Sequence, residues 1–263
     1  MGYIFTYNDA SVWHQRMDSP FIRERVRMEN RLMYNLLNPL KGQSVLDIGC
    51  GCGNTMLALL EAGLDVSGLD ASPYMLEFAE KNLGNRAELY RGMAEDLPFE
   101  DNSFSYVTMM YSLEYMDDAD KVLAESCRVA KDKIFIGILN RHSVQSVRLR
   151  AARFFSRSIY SQARFFSVWE IRRMARSMLG NIPFEWRSAS LYTLPFARFF
   201  KKREYTAFIS KNPAAPFIGM VIVPVPYYRT RPLELKCRTK PAAGTMAGLA
   251  RSGRSQENGS ISL

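Results

Sequence analysis

Along the first 140 residues the apolar positions keep two rhythms, one helical and one strand-like. Over residues 20–37 the side chains of Phe21, Val26, Met33 and Leu37 recur near one face at helical spacing. Asn38-Pro39 ends that run, because a residue before proline is pushed out of the helical region. A regular alternation follows: strand SVLDIG, helix NTMLALLEAG closed by Gly63, strand DVSGLD, helix SPYMLEFAEKNLG closed by Gly84, strand AELYRG. Further on, SYVTMMYSL reads as a buried central strand, DADKVLAESCRVA as a helix capped by Asp118, and DKIFIGIL as a fifth strand. Short strands alternating with helices of about ten residues predict a parallel sheet covered on both faces.

After Asn140 the rhythm breaks. Residues 141–166 are arginine-rich and aromatic with no clear strand, and a helix SVWEIRRMARSMLG follows that Ser167 is placed to cap. Two more strand candidates, FEWRSASLYTL and FIGMVIVPV, bring the expected total to seven. From about Lys236 the chain is rich in Gly, Ser, Thr and Ala, and a disordered tail is expected over 236–263. The predicted organisation is a helical N-terminal cap segment over 1–43, an α/β domain over 44–235 with an insertion at about 141–166, and the tail.

Composition narrows the class. At 263 residues and 47% hydrophobic the chain fills one sizeable core, or one core and a small subdomain. No run approaches the roughly 20 apolar residues that span a bilayer, since PFIGMVIVPVPYY is cut by Pro224 and Pro226. The first residues lack the basic start and apolar segment of a signal peptide, so a soluble, cytoplasmic protein is expected. Four cysteines and two histidines make neither a disulfide framework nor a zinc signature; Cys50 and Cys52 read as small packing residues, and no metal is expected. The net charge of +9 hides an asymmetry: 13 Lys and Arg against 21 Asp and Glu up to Asn140 give −8, and 22 against 5 thereafter give +17.

Candidate chemistry starts at SVLDIGCGCGNT, where a strand turns into a helix through glycines at 49, 51 and 53. Such a turn presents backbone N–H groups and a positive helix end to a ligand, and glycine lets the ligand approach without a Cβ in the way. Asp47 stands before the glycines, where a carboxylate suits a cationic group better than a pyrophosphate. Asp70 ends the next strand, where it can accept hydrogen bonds from ribose hydroxyls. The loop GMAEDLPFEDNSF after the third strand can border a base. A ligand with ribose, base and an ammonium group is favoured over NAD.

These segments, with VSGLDASPYMLEFAEKN, GMAEDLPFEDNSFSYVTMMYSLEYMDD and ESCRVAKDKIFIGILN, resemble the successive motifs of class I S-adenosylmethionine-dependent methyltransferases. The type-11 group that includes quinone-biosynthesis C-methyltransferases is the most similar. The likeness is strong over 44–140 and extends to about residue 230. It implies a Rossmann-like seven-stranded, mostly parallel sheet with helices on both faces, its last strand antiparallel, under a helical and arginine-rich cap. It also implies S-adenosylmethionine as cofactor: Asp47, Gly49, Gly51 and Gly53 cradling the methionine part, Asp70 with Ala71 at the ribose, Met93, Ala94 and Glu95 at the adenine, and Met110 beneath the methyl-bearing end. Met93 departs from the pattern, since many relatives carry Asp or Asn there; Glu95 or Asp96 then substitutes, or the cofactor is held less tightly.

Methyl transfer is an in-line displacement that needs a base only if the nucleophile must lose a proton. Glu114 and His142 are the catalytic candidates, with Tyr111 and Tyr115 beside them. DNA base methylation is argued against: YSLEY replaces the Asn/Asp-Pro-Pro-Tyr/Phe tetrapeptide, and no Pro-Cys dipeptide is present. The insertion carries Arg141, Arg148, Arg150, Arg153, Arg157 and Arg164 among Phe154, Phe155, Tyr160, Phe165 and Phe166, and no carboxylate. It reads first as a lid over an apolar substrate, then as a docking surface for an anionic membrane or substrate, and last as an RNA face. The expected acceptor is a small apolar or anionic molecule, with nucleic acid disfavoured and peripheral membrane contact open. The competing class is a non-catalytic protein of the same fold that binds RNA, a membrane or a protein through its basic half.

Overall fold

The computed structural model describes residues 2–152, 158–193 and 205–224. Its first strands follow the apolar runs: β1 (Ser44–Ile48), β2 (Asp65–Asp70), β3 (Glu88–Arg91), β4 (Phe104–Met110) and β5 (Ala130–Leu139). Between them stand α3 (Asn54–Glu61), α4 (Pro73–Leu83) and α5 (Ala119–Val129). The cap read at Asp118 is made, its side chain accepting from the first turn of α5, and Ser72 caps α4 in the same way. After β5 come α6 (Val144–Ala152), α7 (Val168–Leu179), β6 (Phe184–Thr193), β7 (Tyr205–Ser210) and β8 (Phe217–Ile222). Ser167 and Glu170 form a reciprocal capping box at the start of α7.

The sheet runs β3-β2-β1-β4-β5-β8-β6-β7. β1 to β5 pair in parallel, β8 pairs antiparallel with β5 and with β6, and β7 pairs antiparallel with β6. The sheet therefore has eight strands where seven were expected. The additional one, YTAFIS, is an edge strand whose residues 208–210 are all exposed, so that stretch lacks the buried alternation by which strands are read.

Two apolar layers cover the sheet. On one face α5 and α7 pack through Val122, Leu123, Ile171 and Ala175 onto Leu46, Val107, Ile136 and Met220. On the other, α2 (Pro20–Leu37), α3 and α4 pack through Leu32, Met33, Met56 and Leu83 onto Val45, Val66, Phe135 and Val221. α2 belongs to the core rather than to a cap. A Cβ at Gly219 of β8 would lie 2.3 Å from Leu32 Cδ2, so the helix rests directly on the strand backbone. Burying Leu32, Met33 and Leu37 contributes roughly 1.5–3 kcal/mol each.

The covering part of the N-terminus is its first 16 residues. Thr6 and Asp9 form a capping box that starts α1 (Tyr7–Arg16). Ahead of it, residues 2–5 are tied down by the Tyr3 N–H, which donates to the Tyr115 carbonyl at 2.8 Å, and by the Ser72 hydroxyl, which donates to the Phe5 carbonyl at 2.7 Å. Within the insertion, Tyr160, Phe165 and Phe166 are buried. Three of its four described arginines are engaged locally: Arg141 pairs with Glu170 at 2.8 Å, Arg150 donates to the Arg141 carbonyl, and Arg164 stands 4.8 Å from the Phe166 ring centroid, while Arg148 is exposed on α6. Arg153, Phe154, Phe155, Arg157 and the expected tail lie outside the described residues.

Candidate active site

Asp47 is the last but one residue of β1 and is held in register with Thr108 of β4. Its carboxylate is 1% exposed and accepts from the Thr108 hydroxyl at 2.7 Å. Burial pushes its pKa up to about 7, and the nearby Asp70 adds to the rise. A buried carboxylate with one hydrogen-bond donor is a site prepared for a cation. Thr108 was not singled out in the sequence; only strand pairing brings it there.

Beyond Asp47 the chain turns sharply. Gly49, Gly51 and Gly53 have φ of 68°, 53° and 79°, in the left-handed region that favours glycine. Their surroundings differ. A Cβ at Gly49 would lie 2.4 Å from Ser112 Cβ, and one at Gly53 would lie 2.9 Å from Leu83 Cδ1 of α4. At Gly51 the nearest atom would be Met75 Sδ at 3.9 Å. Gly51 thus presents bare backbone to an open space, whereas Gly53 sits behind the loop and does not line the cavity. The Gly51 N–H donates to Asp70 at 2.9 Å, and the Ser72 N–H donates to the other Asp70 oxygen at 2.8 Å. Burial raises the Asp70 pKa against those backbone bonds, which pull it down.

The cysteines between the glycines are packing residues. Cys50 joins the α2 side of the core, and Cys52 touches Met75 Sδ at 3.5 Å. Burial drives both thiols up, Cys52 to about 12, so neither is a nucleophile at neutral pH.

These groups open onto one cavity of about 1280 Å³, counting its mouth. Asp47, Gly49, Gly51, Asp70, Ala71, Met93, Ala94, Glu95 and Met110 all line it, so nine of the ten residues assigned to a cofactor meet at one place. Asp96 does not line it, and Glu95 holds the Asp117 N–H at 3.1 Å. The strap at residues 2–5 and α1 form its roof.

The catalytic candidates fare differently. Glu114, on a single 3-10 turn after β4, is buried but turned away from the cavity: it accepts from the Leu139 N–H at 2.7 Å at the end of β5. Burial pushes its pKa up to about 8. His142 is exposed and lies outside the cavity lining, with its N–H donating to Asn140. Neither side chain lines the cavity, so the structure does not bring the two together with the residues assigned to the cofactor. Tyr111 and Tyr115 do line the cavity.

The cavity lining also carries a polar cluster around Tyr111 whose charged members, Arg16, Arg25 and Glu29, were not among the candidates. Glu29 of α2, 1% exposed, accepts from the Tyr111 hydroxyl and lies 3.3 Å from Arg25 Nε. Arg16 of α1 donates to the Tyr160 hydroxyl at 2.9 Å. The signal for it was an Arg25 and Glu29 pair at i, i+4 within the apolar stripe of α2, where a solvated charge has no place.

Comparison with known proteins agrees with this architecture. Residues 45–133 match the family model described as a methyltransferase domain. Demethylmenaquinone methyltransferase of Bacillus licheniformis is 41% identical over 101 residues, which is 36% of this chain and 44% of that protein. The protein of the same name from Geobacillus kaustophilus is 37% identical over 134 residues, covering 48% and 56%. The chain spans about half the length of these curated relatives. Among solved structures, an S-adenosylmethionine-dependent methyltransferase from Thermotoga maritima superposes with a TM-score of 0.64 at 19% identity, over 83% of this chain and 97% of that one. Magnesium protoporphyrin IX methyltransferase of Synechocystis, solved with S-adenosylhomocysteine, gives 0.54 at 15% identity, over 78% and 84%. Residues 45–133 thus carry a methyltransferase domain, and in its glycine loop, acidic strand ends and sheet order the chain is similar to class I S-adenosylmethionine-dependent methyltransferases.

Proposed function

We propose that the protein transfers a methyl group from S-adenosylmethionine to a small organic acceptor, and that the acceptor is a ring compound of the quinone kind. The observation that carries the first part is the convergence of Asp47, the bare backbone of Gly51 and Asp70 on one cavity. The names of the demethylmenaquinone methyltransferases support the second.

The residues present fit the cofactor. Asp47 suits its ammonium group, the Gly49 and Gly51 backbone its carboxylate end, Asp70 with Ala71 its ribose, residues 92–95 its adenine, and Met110 its methyl-bearing end. The open space at Gly51 is the cradle that a Cβ would begin to fill. When bound, S-adenosylmethionine supplies an electrophilic methyl on a sulfonium. The chain itself contributes proximity, orientation and exclusion of water. Phe5 packs on Tyr115 with centroids 4.8 Å apart and on Trp13 at 6.2 Å, an aromatic cover that keeps the cavity dry. A purely binding role for the basic half draws less support, because three of the four described arginines of the insertion are engaged locally.

Calorimetric titration with S-adenosylhomocysteine, beside Asp70→Ala, tests the cofactor part; transfer of labelled methyl to a 1,4-naphthoquinol with an open ring position tests the acceptor. Binding lost in Asp70→Ala and label found in the quinol are the expected results. Failure of the folded wild type to bind S-adenosylhomocysteine would overturn the reading.

A further inference from the structure

We propose that the cavity end around Tyr111 and Tyr160 is an acceptor subsite for a flat ring bearing an ionised hydroxyl oxygen, with Arg16 as the residue that recognises the charge. The proposal rests on the methyltransferase reading only for what the acceptor does after it binds.

Charge is the first observation. Two guanidiniums, Arg16 and Arg25, and four carboxylates, Glu29, Asp47, Asp70 and Glu95, line the cavity, and of these Arg16, Arg25 and Glu29 are gathered around Tyr111 and Tyr160. Glu29 is matched by Arg25 at 3.3 Å and by the Tyr111 hydroxyl. Arg16 donates to the neutral Tyr160 hydroxyl at 2.9 Å and meets no carboxylate among the described residues. Its charge is the surplus one, and a partly buried surplus cation calls for an anionic ligand.

Shape is the second. Trp13, Tyr111, Tyr115 and Tyr160 present aromatic surface to this end, which suits a planar ring better than a flexible chain. Arg16 stands 5.0 Å from the Tyr160 ring centroid, a stack that fixes its guanidinium plane. The Tyr115 hydroxyl is buried and lacks a hydrogen-bond partner among the described residues, a donor available to an acceptor oxygen.

The third is strain. Tyr111, the residue after Met110 at the end of β4, has φ of 57°, a conformation that costs a non-glycine residue about 1–2 kcal/mol. That twist is what brings its ring beside Arg25 at 5.9 Å and its hydroxyl to Glu29. A hydroxy ring that binds already ionised needs no separate base. This accounts for both carboxyl and imidazole candidates lying outside the cavity.

The test uses 2-hydroxy-1,4-naphthoquinone, whose hydroxyl is ionised at neutral pH, and its uncharged 2-methoxy ether. Both are titrated by absorbance and calorimetry with and without saturating S-adenosylhomocysteine. The wild type is expected to bind the hydroxy compound at least tenfold more tightly than the ether. Arg16→Gln should abolish that preference, Arg16→Lys should keep most of it, and both variants should bind S-adenosylhomocysteine within twofold of wild type. Equal binding of the two probes, binding of neither, or a preference that survives Arg16→Gln would overturn the proposal; the wild-type comparison needs no variant. Loss of S-adenosylhomocysteine binding alone would overturn the methyltransferase reading and leave the probe preference readable.

Discussion

Alanine at Gly49 and alanine at Gly51 are the same chemical change two residues apart, yet their costs should separate. Both glycines have positive φ, 68° and 53°, so each alanine carries about 1–2 kcal/mol of backbone strain. At Gly49 the added methyl would also meet Ser112 Cβ at 2.4 Å, which adds about 1–3 kcal/mol of overpacking. The loss there is about 2–5 kcal/mol, and at about 2–4 °C per kcal/mol for a domain of this size the melting temperature should fall by about 4–20 °C. At Gly51 nothing lies closer than Met75 Sδ at 3.9 Å, so strain alone applies and the fall should be about 2–8 °C. The Gly51 methyl, however, projects where the ligand must approach the backbone. Its affinity for S-adenosylhomocysteine should drop at least tenfold, about 1.4 kcal/mol. Scanning calorimetry and ligand titration of both variants decide the matter. A Gly51→Ala protein that melts as low as Gly49→Ala, or that binds S-adenosylhomocysteine like wild type, would refute the claim that an added methyl meets protein at Gly49 and ligand at Gly51.

Three further outcomes follow from buried groups. Glu114 is raised from 4.5 to about 8, so the folded state holds its proton more tightly than the unfolded chain; stability present below about pH 4.5 is lost as pH rises through 8, by at most about 1.4 kcal/mol per pH unit. Glu114→Gln should therefore gain on wild type steadily between pH 5 and 8 in urea unfolding, and parallel curves would show that the carboxyl is not buried as described. Asp47, at about 7 in the protein, must be ionised to meet an ammonium group, so S-adenosylhomocysteine binding below pH 7 should release a proton, seen as a buffer-dependent heat. Thr108→Val removes the hydrogen bond that lowers the Asp47 value and should shift that effect to higher pH. In a Cys237→Ser background, Cys50, Cys52 and Cys127 should resist a thiol reagent at pH 8 and react together on unfolding, because all are buried with raised values. A fast-reacting thiol in the native protein would contradict that burial.

Most of the parallel sheet and the glycine side of the cavity were legible in the residues themselves. Strand runs, helix caps at Asp118 and Ser167, and positive-φ glycines are local signals: each depends on a residue and its near neighbours, which the chain order preserves. Asp47 and Asp70 were legible for the same reason, since a strand end leading into a glycine turn points its side chain toward the carboxyl edge of the sheet. Where the sequence erred, the side chain's direction was at stake. Glu114 stands four residues after Met110, within reach of the cavity by count, yet its turn aims the carboxylate at the Leu139 N–H.

What only the tertiary structure decided was the other half of the cavity. Tyr111 meets Glu29 across 82 residues and Arg16 meets Tyr160 across 144. A charged residue on a helix is by default solvated, and nothing within a turn of Glu29 or Arg16 says otherwise except the apolar stripe around the first. Their burial comes from α2 lying on the glycine surface of β8 and from α1 folding back over the loop, contacts set by packing between distant segments. Local propensity thus specified the elements and the cofactor edge. The charged wall around Glu29 and Arg16 arose only when those elements closed on each other, because a charge acquires its partners from the surface it is packed against.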